Sequence, residues 1–306
     1  MERVCRAGVA GAGVFGGHHA RKYASIEGVE LIGVYDRGTG RALALAETLG
    51  VNGFEEDAWA AFVDGLDLLT VAAPAVAHAD LAVRGLKAGC HVYVEKPLAA
   101  TREDARAILQ AAAQAGRILA CGHQERAVFK AMGLLDAPER PIRLEAVRKN
   151  SHTGRNEDVS VVLDLMIHDL DLALTLAGDH AQQVTATARA PIGPHADQAR
   201  AEIVFGGGLT AVFESSRVAE ARERTMRVVY PSGEVWIDFL ARTFENTTPF
   251  ALDPGFAESA IGKDPLGYSV QAFVDAARGR AGRPLVTGEE AYAALDLALR
   301  VEEASV

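Results

Sequence analysis

The segment that most constrains the fold is a glycine-rich turn near the amino terminus, Gly11-Ala12-Gly13-Val14-Phe15-Gly16. It follows an apolar run typical of a buried strand and precedes a helical pattern. In such a G-x-G-x-x-G turn, the first glycine permits a tight bend, the second lets backbone approach a pyrophosphate, and the third allows close helix–strand packing. The free N–H groups of the helix N-terminus then face the phosphates. The order strand, turn, helix therefore predicts dinucleotide binding and not merely a structural turn.

The first 122 residues repeat one rhythm of a short apolar strand, a turn and an amphipathic helix. The predicted strands are Val4–Ala10, Glu30–Tyr35, Asp67–Ala72, His91–Glu95 and Arg117–Cys121. Alternation of this kind, with nearly continuous apolar strands, indicates a parallel sheet covered by helices on both faces. We therefore predict an α/β domain over residues 1–122, with a doubly wound parallel sheet of the Rossmann type.

The pattern changes in the second part of the chain, where strands alternate without intervening helices. Two segments have the form of antiparallel hairpins, with turns at Gly206–Gly208 and at Pro231-Ser232-Gly233. Helical patterns close the chain, at Tyr268–Arg278 and Glu289–Glu303. Residues 123–306 are therefore predicted to form an α+β domain with a mainly antiparallel, open-faced sheet.

Composition narrows the classes of partner. The formal net charge of -10 provides no basic field, which argues against nucleic acid and anionic membrane as partners. No segment offers the roughly 18 uncharged apolar residues that a membrane span requires. The three cysteines, an odd number without a C-x-x-C pair, predict reduced thiols in a cytoplasmic protein.

A carboxylate follows the glycine turn at the spacing that a ribose requires. Asp36 comes twenty positions after Gly16, at the end of the second predicted strand. A carboxylate there accepts hydrogen bonds from the adenosine ribose hydroxyls and repels a 2′-phosphate, which favours NAD over NADP. The neighbouring Arg37 would suit a phosphate, so NADP stays open as the less favoured cofactor.

Two further segments lie where a ligand of an open α/β sheet binds, beyond the carboxyl ends of strands. They are Ala73-Pro74 and Glu95-Lys96-Pro97. Such a lysine is often only a solvated surface residue. Beside a nicotinamide site, however, Lys96 could stabilise a developing alkoxide on a substrate hydroxyl or relay its proton.

The helical segment Asp164–Gly178 is apolar enough for a core but carries four ionisable groups. Successive residues of an α-helix are rotated by about 100°, so the polar residues of this region fall on one narrow stripe. Such a stripe on an otherwise apolar helix predicts that this edge of the helix lines a pocket. Its members are Ser160, Asp164, His168, Asp171 and Thr175. Asp169 points elsewhere and is interpreted as structural. No second histidine or cysteine accompanies His168 at ligand spacing, so no metal is predicted.

The chain resembles the glucose–fructose oxidoreductase / inositol dehydrogenase / MocA family over nearly its whole length. The resemblance rests on GVAGAGVFGGHHA, on AAPAVAHADLAVRGLKAGCHVYVEKPLA, and on DLMIHDLDLAL. It implies a pyridine-nucleotide-dependent oxidoreductase acting on a sugar, a cyclitol or a nucleotide-linked sugar. It also implies that the open face of the second domain's sheet forms homodimers or homotetramers.

The resemblance assigns roles to individual residues. Lys96 matches the lysine near nicotinamide and substrate, and Asp164 with His168 matches the family's acid–histidine pair. The positions expected to bind cofactor are Gly11, Gly13, Val14, Phe15, Gly16, Asp36, Arg37, Ala73, Pro74, His78, Glu95 and Lys96. We expect His168 to be the general base, oriented by Asp164, while Lys96 polarises the hydroxyl. Lys96 as the base, with His168 only hydrogen-bonding substrate, stays open.

The segment CGHQERAVF departs from the common variants, and with the DLMIHDLDL helix it is most similar to members acting on UDP-N-acetylhexosamines, including 3-dehydrogenases. The substrate would then contact Gln124, Arg126 and Arg148 as well as Lys96, Asp164 and His168. The arginines would equally suit ordinary ion pairs. Three alternatives remain: a polyol or cyclitol dehydrogenase, a reductase of an imine or linear tetrapyrrole, and a non-catalytic NAD-binding regulator.

Overall fold

The computed structural model describes residues 3–38, 40–152 and 159–305, which form two compact units. The first unit holds residues 1–124 and 265–292, and the second holds residues 125–264 and 293–306. The predicted boundary after residue 122 lies close to the first division. Residues 265–292, however, were predicted in the second domain and pack with the first unit instead.

The helices and strands are numbered in chain order. The strands are β1 Cys5–Ala10, β2 Val29–Tyr35, β3 Asn52–Phe54, β4 Leu68–Val71, β5 His91–Val94, β6 Leu119–Cys121, β7 Arg143–Lys149, β8 Ala181–Arg189, β9 Gln198–Phe205, β10 Thr210–Ser216, β11 Glu223–Tyr230, β12 Gly233–Asp238 and β13 Thr243–Asn246. The α-helices are α1 Val14–Ser25, α2 Arg41–Leu49, α3 Trp59–Val63, α4 His78–Lys87, α5 Arg102–Ala115, α6 Glu125–Met132, α7 Ile167–Ala177, α8 Ala260–Lys263, α9 Pro265–Ala277 and α10 Gly288–Ala304.

The first unit is built on a six-stranded parallel sheet in the order β3-β2-β1-β4-β5-β6. This confirms the doubly wound Rossmann-type sheet. The order reverses between β1 and β4, and ligands of such sheets bind in the crevice beyond the carboxyl ends at this point. The short strand β3 was not predicted, because three residues carry too little periodicity.

Helix α9 belongs to the first unit because its apolar face completes the core there. Val270, Phe273 and Val274 are fully buried in one cluster with Ala7 and Val9 of β1. The Tyr93 hydroxyl also lies 2.9 Å from the Ser269 hydroxyl. The sequence shows that α9 is amphipathic but not which sheet its apolar face covers, so the prediction placed it in the wrong domain.

The second unit contains a seven-stranded sheet in the order β13-β12-β11-β7-β10-β9-β8. All neighbours are antiparallel except β7 and β10, which run parallel. The hairpins β9–β10 and β11–β12 confirm the two predicted turns. Strand β7 was not predicted, because its buried face carries Arg148 after Leu144 and Ala146 and so lacks an apolar alternation.

The segment before α7 differs from the predicted continuous α-helix. Residues Val162–Met166 form one turn of π-helix, which then continues as α7. A π-turn closes i→i+5 hydrogen bonds and so holds more residues than an α-turn. The spacing of polar groups along this segment is therefore not the uniform 100° that predicted one stripe. Within the described residues, no helix combines the length and hydrophobicity that crossing a membrane would need.

Candidate active site

The glycine turn has the geometry that close approach of a phosphate requires. Gly11 has a φ of +112°, which favours glycine, and a Cβ there would clash with the carbonyl of Ala72. A Cβ on Gly16 would clash with the carbonyl of Gly11, so this position also excludes a side chain. At Gly13, in contrast, a Cβ would meet no atom within 4 Å, so the turn faces open space there. Each glycine therefore fits its predicted role.

The N-terminus of α1 is built to receive an anion. Its first turn has no acidic residue and no side-chain cap, so N–H groups of the first turn keep their hydrogen-bonding capacity. Val14 and Phe15 begin the helix and are 58% and 53% exposed. Exposed apolar side chains next to free backbone donors fit a nucleotide that stacks its apolar parts over a phosphate site.

Asp36 is buried at the carboxyl end of β2 and joins the glycine turn to the next loop. Its carboxylate accepts hydrogen bonds from the backbone N–H groups of Ala12 and Gly38, each at 2.7 Å. The guanidinium of Arg41 lies 2.9 Å from the same carboxylate. Arg37 is exposed. Sequence reasoning singled out Arg37 and missed Arg41, which reaches Asp36 from the first turn of α2.

Glu95 organises the loop that carries the predicted catalytic lysine. Its carboxylate accepts hydrogen bonds from His19 Nε2 and Gln124 Nε2, both at 2.7 Å, and from the Lys96 backbone N–H at 3.3 Å. It also lies against Gly122, where a Cβ would come within 2.7 Å. Burial raises the pKa of Glu95, but the hydrogen bond and charge of His19, with the charge of Lys96, outweigh it and leave this pKa lowered.

His78 ties together the two loops that follow β4 and β5. Its ring nitrogens lie 2.8 Å from the carbonyl oxygens of Ala73 and Pro97, and the side chain is buried. Burial lowers the pKa of His78, opposed by these two carbonyls. His78 therefore joins the loops that follow β4 and β5 by hydrogen bonds within the first unit.

Lys96 is the one partly exposed residue in a buried run. Residues 92–95 and 97–99 are all buried, whereas Lys96 keeps access to solvent. Its peptide bond to Pro97 is cis. A long cationic side chain in this setting can meet a ligand while its backbone stays fixed by Glu95.

Asp164 and His168 repeat this pattern in the second unit. Among residues 159–173 every residue is buried except these two, each of which is partly exposed. Asp164 lies in the π-turn and His168 in the first turn of α7. The remaining members of the predicted stripe are bonded within the unit. The Ser160 hydroxyl donates to Glu302, and the Thr175 hydroxyl donates to the Asp171 carbonyl at 2.8 Å.

The two arginines predicted to contact substrate are buried in ion pairs. Arg126 forms two hydrogen bonds with Asp171, at 2.8 and 2.6 Å. Arg148 pairs with Asp169 at 2.7 Å and with Glu125 at 2.5 Å. Burial disfavours the charged guanidinium of Arg148, but the charges of Asp169 and Glu125 outweigh this effect and raise the pKa of Arg148 above its ordinary value. Both guanidinium groups therefore form the ion pairs that the sequence left open as an alternative, and contact of either with substrate stays a prediction.

Two other predicted residues also have partners within their own unit. Asp171, predicted to support His168, forms an ion pair with Arg126. Gln124, predicted to bind substrate, donates its amide to Glu95 and so helps to hold the lysine loop. Asp169 is structural as predicted. The sequence did not predict a role for His19, which holds Glu95. His19 lies three positions after Gly16, and its place on the helix that follows the glycine turn was the only local indication of that role.

Among the described residues there is no group of three or more histidine, cysteine, aspartate or glutamate side chains placed to hold a metal ion. Together, the parallel sheet, the glycine turn and Asp36 define a dinucleotide-binding enzyme of the Rossmann class.

Comparison with known proteins identifies the family. Residues 5–123 match the GFO/IDH/MocA oxidoreductase family, NAD-binding Rossmann fold, and residues 138–235 match the GFO/IDH/MocA C-terminal domain. The chain belongs to this family and is an NAD-dependent oxidoreductase. The predicted family, fold class and cofactor are thereby confirmed.

Individual relatives are similar over most of the chain. UDP-N-acetylglucosamine 3-dehydrogenase from Acidithiobacillus ferrooxidans is 34% identical, covering 89% of this chain and 88% of the relative. A solved structure of that enzyme has a TM-score of 0.88 at 30% identity, covering 99% of this chain and 98% of the other. scyllo-Inositol 2-dehydrogenase (NAD(+)) from Bacillus subtilis is 28% identical, covering 78% of this chain and 75% of the relative. The WlbA dehydrogenase from Bordetella pertussis, solved with NADH and UDP-GlcNAcA, shares the fold at a TM-score of 0.89 and 18% identity, covering 100% of this chain and 96% of that one.

Proposed function

We propose that the enzyme oxidises a secondary hydroxyl of a UDP-N-acetylhexosamine with NAD, in the manner of a 3-dehydrogenase. The observation that carries the catalytic assignment is selective exposure. Lys96, Asp164 and His168 alone reach solvent from runs that are otherwise buried. A lysine, a histidine and a carboxylate are the groups that handle the proton and the developing charge in the oxidation of an alcohol.

Oxidation of an alcohol requires a hydride acceptor and a base for the hydroxyl proton. NAD, when bound at the glycine turn, supplies the hydride acceptor. His168 takes the hydroxyl proton, because an imidazole with a pKa near 6.5 is suited to this near neutral pH. Asp164 orients the ring and stabilises the imidazolium, and Lys96 stabilises the negative charge that develops on the oxygen. Lys96 as the base is the alternative assignment.

The proposed substrate class rests on the similarity to the 3-dehydrogenase of A. ferrooxidans over most of both chains. Because Arg126 and Arg148 form ion pairs with carboxylates, we expect other donors to bind the diphosphate. An inositol-like polyol is the second candidate substrate class, since the B. subtilis relative acts on scyllo-inositol. A polyol would need no diphosphate donors at all.

A substrate panel separates these proposals. We expect NAD reduction, followed by NADH absorbance, with UDP-N-acetylglucosamine or UDP-N-acetylgalactosamine but not with free N-acetylglucosamine or UDP-glucose. Turnover with myo- or scyllo-inositol alone would favour the polyol dehydrogenase. Tight NAD binding without turnover of any sugar or polyol would contradict an enzymatic role and favour a regulator.

We infer that the enzyme is a homo-oligomer joined through the open face of the seven-stranded sheet. That face carries partly exposed valines beside cross-strand ion pairs such as Arg227–Glu145 at 3.7 Å and Arg200–Glu214 at 3.8 Å. Light scattering after gel filtration should therefore give a dimer or tetramer mass. A location in the cytoplasm fits its cysteines, which are held as thiols.

Replacing Asp36 by alanine should raise the relative use of NADP. The change removes the carboxylate that repels a 2′-phosphate and leaves Arg41 to attract it. We expect the ratio of kcat/KM for NADP to that for NAD to rise by about tenfold or more, with weaker NAD binding. Asp57→Ala, which removes an exposed carboxylate of the same unit, is the control and should leave the ratio unchanged. An unchanged ratio in Asp36→Ala would remove Asp36 from cofactor selection.

His19→Phe should make the enzyme more sensitive to acid. The pKa of Glu95 is lowered in the folded protein, so its contribution to stability is present above its unfolded pKa and is lost as pH falls through the folded value. Without His19 this folded pKa rises, and the melting temperature should begin to fall at a higher pH than in the wild type. Melting curves between about pH 4 and 7 measure this. His19→Gln replaces the imidazole N–H with an amide N–H donor and should recover most of the wild-type profile. Identical profiles for all three proteins would refute the role of His19.

A further inference from the structure

A cavity lies in the first unit, away from the glycine turn. Its volume is about 370 Å³, which is enough for a small metabolite. The polar side chains that line it are Arg3, Cys5, Asp67, His91, Arg117 and Arg278. Strands β1 and β5 begin at Cys5 and His91, so the cavity opens at the amino-terminal edge of the sheet. The dinucleotide site is at the opposite, carboxyl-terminal edge.

The cavity is positively charged in an acidic protein. Three guanidinium groups and one carboxylate line it, whereas the chain as a whole carries a formal charge of -10. Asp67 is neutralised, because Arg3 binds it at 2.9 Å and the Arg6 N–H donates to it at 2.9 Å. Arg278 donates to Cys5 Sγ and to the carbonyls of Glu27 and Gly28. The charges of Arg117 and Arg278 therefore remain without a neutralising carboxylate in this cavity.

The tautomer of His91 adds a donor that its neighbour cannot satisfy. The Ile118 N–H donates to His91 Nδ1 at 3.0 Å, so the ring proton of the neutral imidazole is on Nε2. Arg117 Nη1 lies 3.5 Å from that Nε2, and both groups are donors. Burial and the charge of Arg117 lower the pKa of His91, which keeps the ring neutral. Two neighbouring donors that line the same cavity can bind the oxygen atoms of one anion.

We propose that this cavity binds a small tetrahedral oxyanion, a phosphate or a phosphate monoester, held by Arg117 and His91 Nε2. A guanidinium presents paired N–H groups that match phosphate oxygens, and the imidazole N–H adds a third donor. The cavity volume limits the ligand to a small molecule, and the net negative charge of the chain opposes a polyanionic macromolecule. The site is distinct from the proposed dehydrogenase site and does not depend on its assignment.

The proposal is tested by calorimetric titration of inorganic phosphate into enzyme saturated with NAD, which blocks phosphate binding at the glycine turn. Wild-type enzyme should bind phosphate, and Arg117→Gln or His91→Asn should each weaken it by about tenfold or more, a loss typical of one charge-assisted hydrogen bond. His91→Asn keeps an oxygen acceptor for the Ile118 N–H, and Arg117 is exposed, so both variants should fold. Arg106→Gln, an exposed arginine of α5 outside the cavity, is the charge-matched control.

Separate titrations distinguish the ligand classes at equal ionic strength. Glycerol phosphate binding like inorganic phosphate would identify a phosphate-monoester site, and binding of phosphate alone would identify a free-anion site; both support the proposal. Equal binding of malonate or chloride would overturn the selectivity for a tetrahedral oxyanion. Absence of phosphate binding to the wild-type holoenzyme, or equal weakening in Arg106→Gln, would overturn the site.

Discussion

His168→Ala should lower kcat by about 10²-fold or more, because the variant lacks the proposed base for the hydroxyl proton. The fold should be retained, since His168 is partly exposed in an otherwise buried helix. Steady-state assays with the active sugar and NAD measure the change. Lys96→Ala should reduce kcat to a similar extent through loss of charge stabilisation.

The pH dependence distinguishes the two candidate bases. If His168 is the base, the acid limb of kcat/KM disappears in His168→Ala and persists in Lys96→Ala. The reverse result would assign the base to Lys96. His180→Ala and Lys130→Ala remove exposed side chains of the same types and should leave kcat near the wild-type value. Near-normal turnover in either test variant would exclude that residue from the mechanism.

Asp169→Ala should lower the free energy of unfolding by about 3–5 kcal/mol, the usual cost of breaking a buried ion pair. Arg148 is 1% exposed and Asp169 2% exposed, so water cannot replace the lost carboxylate. Glu125 alone would then have to balance the guanidinium. Urea denaturation, fitted to the transition of the second unit, measures the loss.

Glu145→Ala provides the matched control, because Glu145 lies on the same strand β7 as Arg148 but forms exposed ion pairs with Arg143 and Arg227. Its removal should change the free energy of unfolding by at most about 1 kcal/mol. If Asp169→Ala were no more destabilising than Glu145→Ala, the buried cluster would contribute no more than a surface ion pair.

Local patterns predicted most of the fold, because they depend on neighbours in sequence. Five of the six strands of the parallel sheet and both antiparallel hairpins follow from such signals. Helix caps are local in the same sense: the Thr101 hydroxyl accepts from the Asp104 N–H at 3.1 Å, and Thr287 and Glu290 cap each other. Long-range partners were not predictable. The core that α9 completes and the parallel pairing of β7 with β10 depend on segments far apart in the chain.

The predictions for the candidate site also divide into those that depend on local patterns and those that depend on long-range partners. The glycine turn, Asp36 and the selective exposure of Lys96, Asp164 and His168 agree with the sequence pattern. Arg126 and Arg148 were assigned to substrate because sequence shows the charge of a side chain but not its partner. Their partners Asp171 and Asp169 are 45 and 21 positions away in the chain. His19 was missed for the same reason, because Glu95 lies 76 positions downstream.

The π-turn at Val162–Met166 holds more residues than an α-turn, so the placement of the proposed catalytic residues depends on the number of residues in this segment. Deleting one residue from it would allow a continuous α-helix, which is the more favourable local structure. The same deletion would rotate the residues before the turn by about 100° relative to α7. The angular spacing of Asp164 and His168 around the helix axis would then change. A shorter helix would thus be locally more regular but would displace the proposed catalytic pair, so we expect this segment to tolerate substitution more readily than a change in residue count.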